Sequence, residues 1–404
     1  MYALKASKLN IIAGILATFL LVCIHPAFGA DNEVTIGIVQ PLSGPNAQFG
    51  INAMHGSELV AETINAQGGI KSLGGARIKL VVADVPTPNT AAAATQRLIS
   101  QNKVVGIVGT FVSSTTLGVS EVTERAGVPI VTFAFADQIT ERGYRYVFQV
   151  SPKGTAFGQA QLKYAIELGK AGGEAIDKIA ILYEDTAYGT AQAKGLREAA
   201  VEAGIKVVVD EAYPLGITDV SSLVNKVRTS EAKIVFPVSY LNDSLLIIRT
   251  MRQQQMDIPV IGGAAGYIIP DFRKGLGDLA QNVLSVASSN HDLYPDLASR
   301  FKDKYGSFMT HEALMHAASL AVLAKAVEKA GSKDPEKVRD ALASTDDCDG
   351  FARCVPGGCV RFNEAGLNTR AFPIMVQWQG EEPVTVYPKE VARAAAVWHA
   401  KSGR

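Results

Sequence analysis

Short apolar runs alternate with amphipathic stretches along this chain, regularly enough to be read as strand, helix, strand. Apolar or alternating runs at 33–39, 77–83, 104–108, 129–132 and 146–150 predict strands. Helical spacing fills the segments between them at 49–66, 89–100 and 115–126. The pair Gly68-Gly69 closes the first helix, and Asn89 is read as the cap of the second. The pattern then restarts. Helices at 155–170, 190–203, 220–229 and 242–255 interleave with strands at 178–183 (KIAILY), 206–209, 233–238 and 259–262. Such alternation implies parallel sheets with helices on both faces, and two runs of similar size imply two similar lobes. Beyond residue 282 the chain reads as mostly helical: 311–330 is apolar on all sides, as in a deeply packed helix, and 335–343 is another. Short strands or edges at 360–363, 374–378 and 384–386 suggest that the chain recrosses between the lobes.

Neighbouring parallel strands end at the same edge of a sheet, so the loops at 112–115 and 132–137 should emerge side by side. The first offers the hydroxyls of Ser113 and Ser114 and the free N–H groups of a helix start, which suit a carboxylate or another anionic oxygen. The second offers backbone and the rings of Phe133 and Phe135. Serine before a helix is also an ordinary cap, and both rings could be core alone.

A length of 404 residues exceeds the ~250–300 at which a single core stops growing, which agrees with two domains. Residues 1–30 combine Lys5, Lys8, an apolar run and the small-residue ending Ala27-Phe28-Gly29, the arrangement of a cleaved secretory signal. The mature chain is then expected in the periplasm and not embedded in a membrane; a retained anchor is the alternative. Without Lys5 and Lys8 the 39 basic residues become 37 against 39 acidic, a net charge of −2. So neutral a surface gives no electrostatic ground for a nucleic-acid partner. Cys348, Cys354 and Cys359 share one Gly- and Pro-containing segment. In an exported protein they predict one local disulfide with one cysteine left over, the pairing open. A three-thiolate metal site is not expected, because the spacings match no familiar zinc knuckle.

Motifs of catalysis are mostly missing. His311 and His316 stand five apart, whereas the paired histidines of H-E-x-x-H stand four apart. There is no G-x-S-x-G elbow and no P-loop, and the Gly262–Gly266 stretch imitates a dinucleotide turn without an acid about twenty residues on. Neither an enzyme nor a resident cofactor or metal is expected.

Several segments together resemble the leucine/isoleucine/valine-binding proteins, the extracytoplasmic receptors of ABC importers. They are Ile36-Gly37-Ile38 through Pro41-Leu42-Ser43-Gly44-Pro45, Ile64-Asn65-Ala66-Gln67-Gly68-Gly69-Ile70, Ser113-Ser114-Thr115, 129–132, Ile139-Thr140 with Gly143-Tyr144, and Tyr188-Gly189. The resemblance covers nearly all of 33–380. It implies an α/β type I periplasmic-binding-protein fold: two doubly wound parallel-sheet lobes joined by a multi-crossover hinge, closing on a small-molecule ligand. Lobe 1 would comprise 31–154 and 288–372, and lobe 2 155–287 and 373–404. The implied partners are permease and ATPase subunits in the inner membrane.

Carried over residue by residue, the family's carboxylate-binding serine matches Ser113, with Ser114 beside it, and its helping backbone matches Ala134 and Ala136. Its aromatic wall matches Phe49, with Phe135 next to it, and its second-lobe tyrosines match Tyr188 and Tyr240. Two positions depart from the family. Ala136 replaces a threonine hydroxyl, and Ala264, in Gly263-Ala264-Ala265, stands where an acid grips the ligand's α-ammonium. Ordinary branched-chain amino acids should therefore bind poorly, and a carboxylate or polar compound with an apolar or aromatic part should bind better. Glu184, Asp185 or Asp243 could supply the acid from elsewhere and admit an amino acid or amide, although solvated loop carboxylates are the plainer reading. A ligand-sensing partner of a membrane receptor would share the same fold, and a secreted enzyme is the remaining alternative.

Overall fold

The structure, a computed structural model, describes residues 32–398, so the expected signal segment lies outside it. Strands β1 (Glu33–Gln40), β2 (Arg77–Asp84), β3 (Ile107–Gly109), β4 (Ile130–Thr132) and β5 (Val147–Gln149) form a parallel sheet in the order β2-β1-β3-β4-β5. Helices α1 (Ala47–Ala66), α2 (Pro88–Asn102) and α3 (Ser113–Ala126) connect the first four.

The chain then repeats the plan with α4 (Gly154–Ala171), β6 (Lys178–Glu184), α5 (Ala187–Ala203), β7 (Lys206–Tyr213), α6 (Ser221–Thr229), β8 (Ile234–Val238), α7 (Leu241–Gln253), β9 (Ile261–Gly262), α8 (Pro270–Leu276) and β10 (Leu284–Ala287). β7-β6-β8 is continued by a parallel Val235–Val260 bridge to β9 and then β10, so the order of the first sheet recurs. After α9 (Pro295–Tyr305), α10 (His311–Ala330), α11 (Pro335–Ala343) and the β11 (Asp346–Asp347) and β12 (Val360–Arg361) pair, β13 (Ile374–Trp378) and β14 (Pro383–Tyr387) join the second sheet antiparallel beside β10.

Parallel strands sandwiched by helices must be apolar on both faces. β3, β4, β5 and β8 are accordingly buried at every residue, whereas the edge strands β2 and β7 alternate exposed and covered positions. Helix α10 is buried over most of its length because it packs on the first sheet and on α1 together. Its backbone comes so near α1 that a Cβ at Gly56 would lie 2.0 Å from the Ala313 carbonyl oxygen. The chain therefore passes from the first sheet to the second after β5, back after β10, and forward again before β13.

Three expectations change. β10 lies inside the stretch read as helical: Ser285 and the serines at 288 and 289 obscure a four-residue strand whose hydroxyl at Ser285 bonds to the Gly262 carbonyl. Asn89 is inside α2, which starts at Pro88 after Thr87. Helices α3 and α5 start earlier than read, placing Ser113, Ser114, Tyr188 and Gly189 in their first turns. Cys348 pairs with Cys359, and Cys354 is the cysteine left over, its thiol pushed up to about 12 by burial.

Candidate functional site

Every parallel strand of both sheets points its carboxyl end toward the gap between them, where open α/β sheets place ligands. On the first-sheet side, β3 runs into α3 with Val112 before the helix and no side chain capping it. The opening N–H groups of α3 therefore have no partner in the helix, and the positive end of its dipole faces the gap. Ser113 is the first helical residue. Its Oγ accepts N–H bonds from Phe135 and Ala136, both at 3.2 Å, so the two loops do meet as the strand pattern implies. An oxygen that already accepts twice keeps its own hydrogen to donate.

The N–H groups of Ala134 and Ala136 are already engaged inside the protein. Ala134 donates to Thr132 Oγ1 at 3.2 Å, and its carbonyl receives Gln149 Nε2 at 2.9 Å and Ser151 Oγ at 3.3 Å. Ser114, half-exposed, is outside the lining of the hollow.

Rings fill the rest of that wall. Phe49 stacks on Phe111 at 4.2 Å, Phe111 lies 6.0 Å from Phe133, and Phe133 meets Phe135 edge-on at 5.8 Å. The second-sheet side presents Tyr188, in the first turn of α5, and Tyr240, immediately before α7, with ring centres 5.3 Å apart. The two walls touch: Phe111 is 5.9 Å from Tyr240, and Phe135 is 6.0 Å from Tyr188. Between them a hollow of only about 10 Å³ is lined by Phe111, Ser113, Phe133, Ala134, Phe135, Tyr188, Tyr240 and Ala265. That is below the ~300 Å³ at which small-molecule pockets begin, so side chains or lobes must shift to admit a ligand. A larger surface groove between α4 and residues 386–398 lies away from the strand ends.

A family model described as periplasmic binding protein matches residues 33–381. The chain belongs to that family. A Leu/Ile/Val-binding protein homolog 7 from Brucella suis is 32% identical over 379 residues, covering 90% of this chain and 93% of its own. Among solved structures, a leucine-binding protein from Thermotoga maritima superposes with a TM-score of 0.78 at 20% identity, covering 88% of this chain and 98% of its own. A solute-binding protein from R. palustris in complex with benzoate superposes with a TM-score of 0.77 at 18% identity, covering 91% and 99%. The fold is therefore that of the type I periplasmic binding proteins, within the branched-chain amino acid ABC transporter group.

In this periplasmic binding protein the acids near the site are differently placed from the loop carboxylates expected. Asp185 is exposed, but Glu184 and Asp243 are buried. Glu184 accepts the N–H groups of Thr186 (2.8 Å) and Gly189 (2.6 Å) at the start of α5. Asp243 accepts the Tyr213 hydroxyl (2.8 Å) and the Tyr240 N–H (3.2 Å) at the start of α7. Burial raises the pKa of both, that of Asp243 to about 7, even though these donors favour the charged form.

Ala264 is fully buried beside the lining, its N–H on Ser285 Oγ at 3.0 Å, and its backbone sits at φ 74°, a conformation costly for a residue with a Cβ. Neither it nor Ala265 offers an acid. His311 and His316 are buried in α10, and burial pushes His316 down to about 3. Among the described residues, no group of three or more His, Cys, Asp or Glu could hold a metal ion.

Phe111 and Ala265 line the hollow without having been singled out from the sequence. Both lie within three residues of a strand end, so a rule that collects every aromatic or small residue just past a parallel strand would have found them.

Proposed function

We propose that this chain is the exported substrate-binding subunit of an ABC importer, and that its ligand is a small carboxylate with an apolar or aromatic portion and no α-ammonium. The observation that carries this reading is the asymmetry of the hollow. One end offers the Ser113 hydroxyl and the start of α3, rings surround the rest, and the nearby carboxylates of Glu184 and Asp243 already serve the protein's own N–H and hydroxyl groups. A carboxylate finds donors there, while an α-ammonium finds none of the acid it needs. Leaving a charge buried and unpaired costs about 3–5 kcal/mol, which lowers affinity by two orders of magnitude or more. The benzoate complex of the R. palustris protein supports the view that this fold can seat such an acid. Ligand binding would favour the closed arrangement by its differential affinity, and permease and ATPase subunits would recognise that form and supply the energy.

The test is a thermal-shift panel on the mature chain with benzoate, short fatty acids, amides and leucine. At a hundred times Kd a true ligand adds ~2.7 kcal/mol of stability. The reading expects an aromatic or aliphatic acid to do so; strong stabilisation by leucine would overturn it.

A further inference from the structure

Behind the first-sheet wall of the hollow lies a polar cluster that the proposed function does not use. Glu312, in the first turn of α10, is fully buried, yet neither carboxylate oxygen has a hydrogen-bond partner. Its near polar neighbour is His311 Nε2, 2.5 Å away but out of hydrogen-bond alignment. The other nitrogen of His311 is held by Ser288 Oγ at 2.9 Å. His316 meets the Glu312 carbonyl at 3.0 Å through Nδ1 and the Gln40 amide through Nε2, and Gln40 Oε1 is also unpartnered. Buried polar atoms are nearly always satisfied, so Glu312 Oε2 and Gln40 Oε1, both without any partner, point to a group that the protein alone does not supply.

A single side chain connects this cluster with the hollow. Phe133 lines the hollow, and its ring stands edge-on to His311 at 5.8 Å and to His316 at 4.8 Å. The hollow itself is too small for an organic ligand, so some part of the lining must move, and displacing Phe133 would open the hollow toward the cluster. A ligand entering that enlarged pocket would have its carboxylate at Ser113 and its far end against Glu312.

We propose that Glu312 is a second ligand anchor, reached when Phe133 turns aside, and that the ligand is a hydroxylated aromatic carboxylate whose neutral phenolic hydroxyl donates to it. The donor is neutral because the positive end of α10 already stands beside the carboxylate. The inference rests on the carboxylate reading above and narrows it.

Isothermal titration calorimetry of the mature chain with two matched pairs tests it: benzoate against para-hydroxybenzoate, and phenylpropanoate against its para-hydroxy analogue. A hydrogen bond to a charged acceptor should make the hydroxylated member of at least one pair about tenfold or more tighter. Glu312→Met, close in shape but without oxygens, should abolish that advantage. An advantage absent from both pairs, or one that survives in Glu312→Met, overturns the assignment while leaving the carboxylate reading standing. Failure of every acid to bind removes that reading and this one with it. Should the variant not fold, difference absorption of the wild type decides: the phenol band shifts to the red if the hydroxyl donates to a carboxylate and stays as in water if it does not.

Discussion

The two walls of the cleft are built from the same parts in the same strand order, yet they differ in where their hydrogen-bonding capacity is directed. On the first-sheet wall, α3 starts without a capping side chain, and Ser113 keeps a hydrogen to give. On the second-sheet wall, α5 and α7 both start beside a buried acid, Glu184 and Asp243, that accepts hydrogen bonds from the protein's own backbone and hydroxyl groups. A helix start that is left open can receive a ligand's anion; one that is closed by the protein's own carboxylate cannot. The comparison teaches that one wall keeps hydrogen-bonding capacity open while the other spends it on its own backbone. Acidic residues near a strand end are therefore poor evidence of a ligand's cation.

The sharpest way to break this contrast is to remove a brace. Glu184→Ala leaves the N–H groups of Thr186 and Gly189 unpaired at a buried helix start. The loss should be about 3 kcal/mol, read as a lower urea midpoint with an unchanged slope. A loss below about 1 kcal/mol would mean that the acid is not a brace and is available to a ligand.

Asp243 gives a pH test of the same idea. Its folded pKa, raised to about 7, lies above the unfolded value of about 3.9. Between those values the folded state keeps a proton that the unfolded state has lost, so this group's contribution is full below about pH 4 and falls as pH rises toward 7. Asp243→Asn should lack this slope. Wild-type stability should fall relative to the variant by roughly 4 kcal/mol between pH 4 and 8. Parallel pH profiles would show that Asp243 is solvated, as its loop position in the sequence had implied.

On the other wall the effect belongs to binding. On the proposed carboxylate reading, Ser113→Ala removes the ligand's donor and should weaken the binding of whichever acid proves to be the ligand by about ten- to a hundredfold in calorimetry. It also leaves the Phe135 and Ala136 N–H groups without their acceptor, so a stability loss of about 1 kcal/mol accompanies it. Stability loss without affinity loss would make Ser113 a structural cap only.

The alternation of strand and helix was readable because parallel strands under two helical layers are apolar throughout and their helices are amphipathic. β10 was not, because Ser285 within it serves the loop after β9, and a hydroxyl turned inward looks the same in sequence as one in solvent. For the site, the two first-sheet loops could be placed by topology alone, and the Ser113 bonds to Phe135 and Ala136 bear out that juxtaposition. The burial of Glu184 and Asp243 could not: Gly189 and Tyr240 are local partners, but they meet a buried acid only because the strand ends are covered by packing, and the Tyr213 hydroxyl on Asp243 comes from thirty residues away.

The smallest effect compares the two lobes far from the cleft, at the ends of corresponding helices. Helices α3 and α5 stop at glycine (Gly127 and Gly204), but α2 stops at Lys103 (φ 50°) and its counterpart α6 is followed by Glu231 (φ 58°). A residue with a Cβ in the left-handed region costs roughly 1–2 kcal/mol relative to glycine, part of which glycine gives back as unfolded-state entropy. Lys103 is exposed and makes no hydrogen bond or ion pair among the described residues, so Lys103→Gly should raise stability by about 0.5–1 kcal/mol, a small upward shift in Tm. Glu231 bonds to Lys178 at 2.6 Å, raising the Lys178 pKa and lowering its own, so Glu231→Gly gives up an exposed ion pair for the same backbone relief. Its gain should be the smaller of the two. If it were equal, the exposed pair would contribute nothing measurable; if Lys103→Gly lost stability, the left-handed turn would be held by contacts of the lysine stem and not by the need to end the helix.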